Sequence, residues 1–243
     1  MIDRIKDKYT AISLGGAYLG AVALLKGRAK SGYGDLISEL LEQTRIAEGE
    51  HLLEVGCGSG ALVRDLARRT NNRNMITAGD LSPYLLSEAR KLAADEGLEG
   101  VIKFDLADSE HLPYEDRTFD VCFSSTVMEE GNADQMIAEL ARVTKPGGRI
   151  LTVVRATDVD WWANLPLSPE HLGQINVLGP KTGAGVGQVG CADASLYDRL
   201  IEAKLYPLML GPRFAFYRSG ERLRDVLGRL GAALQPDIKE EFD

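Results

Sequence analysis

Leu53-Glu54-Val55-Gly56-Cys57-Gly58-Ser59-Gly60 is the stretch on which the fold turns. It completes a short apolar run, His51 to Val55, and leads straight into Ala61–Arg69, where Leu62, Val63 and Leu66 fall on one side of a helix. A strand, a glycine-rich turn and a helix therefore follow one another without a linker. Glycines suit the turn because the chain reverses tightly and its backbone has to come close to a ligand. The free N–H groups at the start of the following helix make a polar cradle.

The same rhythm continues downstream. Met75 to Gly79 reads as a second strand. Pro83 to Asp95 reads as a helix, with Ser82-Pro83 suited to an N-cap and the first helical position. Val101 to Asp105 and Phe119 to Ser124 are further strands. A helix from about Asp134 to Val143, the turn Pro146-Gly147-Gly148 and the apolar strand Arg149 to Val154 complete the series. Strands alternating with helices of this length imply βαβ units and a parallel sheet covered on both faces. After Arg155 the rhythm breaks. Residues 156–192 hold Trp161-Trp162, prolines and the glycine-rich stretch Gly179 to Gly190, and read as a lid inserted after the fifth strand, with the glycines as a mobile hinge. A helix near Ala194 to Ala203, strand candidates Leu205 to Leu210 and Arg213 to Tyr217, and a helix near Glu221 to Leu230 follow.

The glycine loop alone also fits a nicotinamide dinucleotide site, which uses the same geometry with an acid about 20 residues on. Three details favour another ligand. The spacing is GxGxG, not GxGxxG. Glu54, two positions before the first glycine, would repel a pyrophosphate but suits a ligand with an amino group and a sulfonium. Asp80 ends the second strand and Asp108 follows the third, where a nucleoside would lie, although either could equally be a cap or turn residue.

Four blocks, LEVGCGSG, GDLSPYLLSEAR, DSEHLPYEDRTFDVCFS and ELARVTKPGGRI, stand in the order and spacing of class I S-adenosylmethionine-dependent methyltransferases. Over about residues 49–155 the chain most resembles the group containing the ubiquinone and menaquinone biosynthesis methyltransferases. The resemblance implies an α/β, Rossmann-like, doubly wound sheet of seven mostly parallel strands, with an N-terminal helical segment and the lid. It divides the chain into a helical cap (1–34), a cofactor-binding core (35–155), the lid (156–192), the end of the core sheet with its last helix (193–232) and a tail (233–243).

The resemblance also assigns roles. Glu54, Gly56, Cys57, Gly58 and Gly60 would hold the methionine end of S-adenosylmethionine. Asp80 would take both ribose hydroxyls, and Leu81 would lie against the adenine. Asp108 would accept from the adenine amino group beside the backbone of Ser109, and Ser124 would contact the methionine moiety. Each position lies at the carboxyl end of a strand, where open α/β sheets bind ligands.

The implied reaction is methyl transfer to oxygen or carbon of a small, fairly apolar molecule. A non-methylating reaction on the same fold, such as a cyclisation with the cofactor bound, is the alternative. Candidate bases are Glu129 and Glu130, where relatives often carry histidine, and His171 in the insertion. The plain reading of the acid pair is a helix start, which favours acids. Trp161 and Trp162 are candidates for an aromatic substrate wall, and Tyr18, with Tyr33, for a cover over the pocket.

Composition narrows the partners. A net charge of −8 and no dense Lys/Arg run argue against nucleic acid. Cys57, Cys122 and Cys191 show no CxxC pairing, so neither a disulfide framework nor a metal site is expected, and a reducing cytoplasm is. Ile12 to Leu25 is apolar but shorter than the roughly 20 residues that span a bilayer. It reads as a helix over the active site, with no stable membrane insertion, and a homodimer is left open.

Overall fold

The computed structural model describes residues 32–159, 167–178, 186–209 and 211. Helix α1 (Gly32–Gln43) leads to β1 (His51–Val55), α2 (Ala61–Arg69), β2 (Met75–Asp80), α3 (Pro83–Asp95), β3 (Ile102–Leu106), β4 (Phe119–Ser125), α4 (Ala133–Val143), β5 (Thr144–Val153), α5 (Pro169–Leu178) and α6 (Leu196–Glu202). The five strands form one sheet in the order β3-β2-β1-β4-β5. Every neighbouring pair is parallel.

A parallel sheet needs crossover helices, and these cover both of its faces. Alternation along the strands divides the core accordingly. Leu52, Ile76, Ala78, Val121 and Phe123 pack with Val63, Leu66 and Ala67 of α2, Leu86 and Ala93 of α3, and Ile37 and Leu41 of α1. Leu53, Val55 and Cys122 pack on the other face with Met136, Ile137, Leu140 and Val143 of α4 and Leu200 of α6. The helical residues recur at three and four positions, one stripe per helix. Each fully buried Leu or Ile contributes about 1.5–3 kcal/mol. The order of strands reverses between β1 and β4, so their carboxyl ends open a crevice there.

Helix α1 was not foreseen. It straddles the 34/35 division and is clamped to the sheet by Arg149, whose guanidinium donates to the Thr44 and Arg45 carbonyls and to both oxygens of Glu50. Strand β5 begins earlier than expected. Thr144 pairs with Phe119 and Arg149 with Val121, so residues 145–148 bulge opposite Asp120. Gly148 is required in the bulge because a Cβ there would meet the Asp120 and Lys145 carbonyls at 2.8 and 2.9 Å.

One expectation is corrected. Residues 205–209 form no strand: Pro207 has no N–H to give a ladder, and Tyr206 and Leu208 stand exposed. Within the insertion, His171 sits in α5. Five strands are present among the described residues. The strand expected at Arg213 to Tyr217, and the helix and tail after it, lie outside them. So do Tyr18, Trp161, Trp162 and the segment Ile12 to Leu25.

Candidate functional site

The loop after β1 folds over the end of β2. The Gly56 and Cys57 N–H groups both donate to the Gly79 carbonyl, at 2.8 and 3.0 Å, and Gly60 N–H donates to Cys57. Asp80 ties the two loops together: one carboxylate oxygen accepts from Gly58 N–H at 2.7 Å, the other from Ser82 N–H at 2.8 Å. Ser82 is the N-cap of α3, its hydroxyl accepting from Leu85 N–H, with Pro83 next. Asp80 thus supports the cap of α3 and also orders the glycine loop. Burial raises its pKa, and the two N–H donors hold it down.

Glu54 lies just before that loop and is buried, and its Oε2 has no hydrogen-bond partner. Burial and the neighbouring Asp80 push its carboxyl well above the usual range, against the Val63 N–H and the Arg64 guanidinium. A buried acceptor with no donor is costly, about 1–3 kcal/mol. Beside a second carboxyl, it marks a place built for a cationic donor. Cys57 is no nucleophile here: burial and the two acids raise its thiol pKa well above normal.

The other expected residues gather at the same edge. Ala107 N–H donates to the Asp80 carbonyl, bringing the end of β3 alongside. Asp108 makes a turn, its carboxylate accepting from Glu110 N–H and its carbonyl from His111 N–H. Ser109 and Leu81 are half-buried beside the same two loops. Ser124 pairs in register with Val55 and is buried at the end of β4.

Beyond β4 the chain is unusual. Thr126 adopts φ +55°, and Val127 packs against Gly56. Helix α4 starts only at Ala133, capped by Asn132, so neither Glu129 nor Glu130 lies in its first turn, and the helix-start explanation does not describe them. Glu129 is 1% exposed. Its Oε1 accepts from Arg155 N–H at 2.9 Å and lies 3.5 Å from the Arg155 Nε, while its Oε2 has no hydrogen-bond partner. Burial raises its pKa. Glu130 is exposed, and its charge reaches Asp80.

The end of the insertion is fastened across this loop. Gly187 N–H donates to Glu129, Cys191 N–H to Met128 and Ala133 N–H to the Val189 carbonyl. A Cβ on Gly190 would come within 2.5 Å of the Glu129 carbonyl. Residues 186–190 of the glycine stretch form a strap fastened to the loop that carries Glu129, and not the free hinge expected of them. Arg64, Arg155 and the strap escaped the sequence reading. The strap's one signal was glycine spacing, and the two arginines resembled ordinary helix and loop cations.

Residues 53–152 match the family described as "Methyltransferase domain". The methyltransferase GfsG of Streptomyces halstedii is 37% identical over 126 residues, which are 50% of this chain and 45% of that protein. The ubiquinone/menaquinone biosynthesis C-methyltransferase UbiE of Idiomarina loihiensis is 28% identical over 67% of this chain and 62% of its own. The chain therefore spans about half to three-fifths of these curated relatives. Among solved structures, the [4+2]-cyclase SpnF is 30% identical with TM-score 0.54, over 70% of this chain and 56% of that one. Geranyl diphosphate C-methyltransferase from Streptomyces coelicolor A3(2) shares the fold, with TM-score 0.53 at 14% identity over 73% of this chain and 62% of that one.

Proposed function

We propose that this chain, whose residues 53–152 match the family described as a methyltransferase domain, is a class I S-adenosylmethionine-dependent enzyme that transfers a methyl group to oxygen or carbon of a small, fairly apolar molecule. The observation that carries this reading is the unpartnered, buried Oε2 of Glu54 beside a glycine loop. The residues present fit S-adenosylmethionine: a carboxylate for the ammonium, backbone at Gly56 and Gly58 for close approach, and Asp80 for the ribose hydroxyls. Leu81 and Asp108 with Ser109 would flank the adenine, and Ser124 would meet the methionine end. When bound, the cofactor supplies an electrophilic methyl group on sulfur.

The protein's own task is to position the acceptor and exclude water, worth about 7–11 kcal/mol of barrier. A base, where the acceptor needs one, adds about 10²–10⁴-fold. Of the two adjacent acids, Glu130 is the better placed to take a proton, because it is exposed and felt at Asp80. Glu129 is turned to Arg155 and anchors the loop that carries Glu130. His171 remains a candidate base, and Tyr18, Trp161 and Trp162 remain candidates for acceptor contacts. The ligand is a small molecule, and the acidic chain is unsuited to nucleic acid.

Calorimetric titration with S-adenosylmethionine and S-adenosylhomocysteine, on wild type and Glu54→Gln, tests the site. Micromolar binding weakened at least about tenfold by the substitution, about 1.4 kcal/mol, is expected. Failure of both ligands to bind wild type would remove the cofactor reading. A second reading has its own support: SpnF, at 30% identity, is a cyclase. Transfer of a labelled methyl group to an acceptor separates the two, since a cyclisation leaves the label on the cofactor.

A further inference from the structure

Arg64 is a buried cation that the proposed chemistry does not use. Its residue is 6% exposed, on the face of α2 that otherwise carries Val63, Leu66 and Ala67 into the core. An arginine there must have partners to offset the loss of water. Its Nη1 donates to the Ser59 carbonyl at 2.5 Å, and its Nε to Glu96 Oε1 at 3.0 Å. Glu96 is held from the other side by Arg68 and closes the C-terminus of α3. The guanidinium also lies 3.5 Å from where a Cβ on Gly60 would stand. Arg64 therefore runs from the far end of α3 to the inside of the glycine loop.

We infer that Arg64 is a positioning residue for the cofactor: it holds the Ser59 carbonyl back from the ligand and so fixes the glycine loop on which the cofactor's methionine end would lie. The inference rests on the cofactor reading above.

The hold on the loop follows from the geometry, and a charge effect on Glu54 accompanies it. A loop carbonyl held by a charged donor cannot rotate toward the ligand, where its oxygen would repel the cofactor's own acceptors. The groups acting on Glu54 are Asp80 from β2, which opposes its ionisation, and the Val63 N–H and Arg64 of α2, which favour it. Glu130, from the loop after β4, opposes the ionisation of Asp80 and so, at one remove, lessens the opposition of Asp80 to Glu54. Arg64 is the one side-chain cation among these. Without it, Glu54 stays protonated to higher pH, and a protonated Glu54 has lost its attraction for an ammonium.

The test is binding of S-adenosylhomocysteine to wild type, Arg64→Met, Arg64→Lys and Glu96→Gln between pH 6 and 9, with thermal melting to show that each variant is folded. 5′-Methylthioadenosine, which lacks the amino-acid portion, is the control. Arg64→Met is expected to weaken S-adenosylhomocysteine at least about tenfold at neutral pH. It should also move the midpoint of the pH dependence upward, with no such movement for methylthioadenosine. Arg64→Lys should restore the midpoint, because it restores the charge, and recover only part of the affinity, because it lacks the fork. Glu96→Gln removes only the far anchor and should cost less than Arg64→Met. Equal weakening of both ligands with an unmoved midpoint would reduce Arg64 to a packing residue and overturn the inference. Wild type that binds neither ligand would instead overturn the cofactor reading on which it rests.

Discussion

The Val127 side chain occupies the space that a side chain on Gly56 would need: a Cβ built there stands 2.2 Å from Val127 Cγ2. Gly56 also has φ +73°. Two separate penalties thus keep residue 56 a glycine, a left-handed backbone worth about 1–2 kcal/mol and a steric overlap worth about 1–3 kcal/mol. Gly56→Ala should destabilise the fold by about 2–5 kcal/mol in urea unfolding. Adding Val127→Ala should recover the steric share and leave the backbone share. Full recovery would mean that the backbone conformation is unimportant.

Glu54 sets stability against binding. Its folded pKa is raised, so the folded state holds the proton more tightly than the unfolded chain does. Stability from this group is therefore full below the unfolded value, about 4.3. It declines as pH rises toward the folded value. Asp80 shifts in the same direction and keeps part of that slope. Glu54→Gln should make the ligand-free protein more stable at pH 8 by about 1–3 kcal/mol and flatten the decline between pH 5 and 8. It should also abolish the stabilisation of wild type by S-adenosylhomocysteine. A variant less stable than wild type at pH 8 would show that a donor already satisfies Glu54.

Thr126 is a β-branched residue at φ +55°, a conformation such residues rarely adopt. Its N–H donates to the Val153 carbonyl at 2.7 Å, which holds the turn in place as the chain leaves the sheet. Asparagine tolerates this region, so Thr126→Asn should raise stability by about 0.5–1 kcal/mol. A loss of stability in thermal or urea unfolding would count against strain at this position.

The Arg149–Glu50 pair belongs to the other end of the molecule. Both guanidinium terminal nitrogens lie 2.7 Å from a Glu50 oxygen, and the arginine holds the Glu50 carboxyl below its usual range. Stability from this group is present above about pH 4.3 and is lost as pH falls through the lowered folded value. Arg149→Met should cost about 1–2 kcal/mol at pH 7, because the pair is partly open to solvent. Cofactor affinity should change less than about twofold. A larger change in affinity would reveal coupling between α1 and the site.

Much of the fold was legible because its signals are local. Gly56, Gly58 and Gly60 between an apolar run and a helical stripe, Ser82-Pro83 at a helix start, and the five apolar runs each announce an element through their own neighbours. The start of β5 and the absent strand at 205–209 were misread because pairing depends on a partner strand: the Pro146-Gly147-Gly148 turn is a bulge within a ladder. Helix α1 went unseen because its clamp, Arg149, is more than 100 residues away.

By itself, the sequence determined the order of βαβ units, the glycine loop and the acids that follow each strand, because periodicity and turn chemistry act within a few residues. Only the tertiary structure decided what those acids do. It left Glu54 buried without a partner, divided Asp80 between two loops and turned Glu129 to Arg155. It also fastened the end of the insertion to the loop that carries Glu129 and brought Arg64 to the Ser59 carbonyl. Burial and hydrogen-bond satisfaction are properties of surroundings assembled from distant parts of the chain, and no local pattern encodes them.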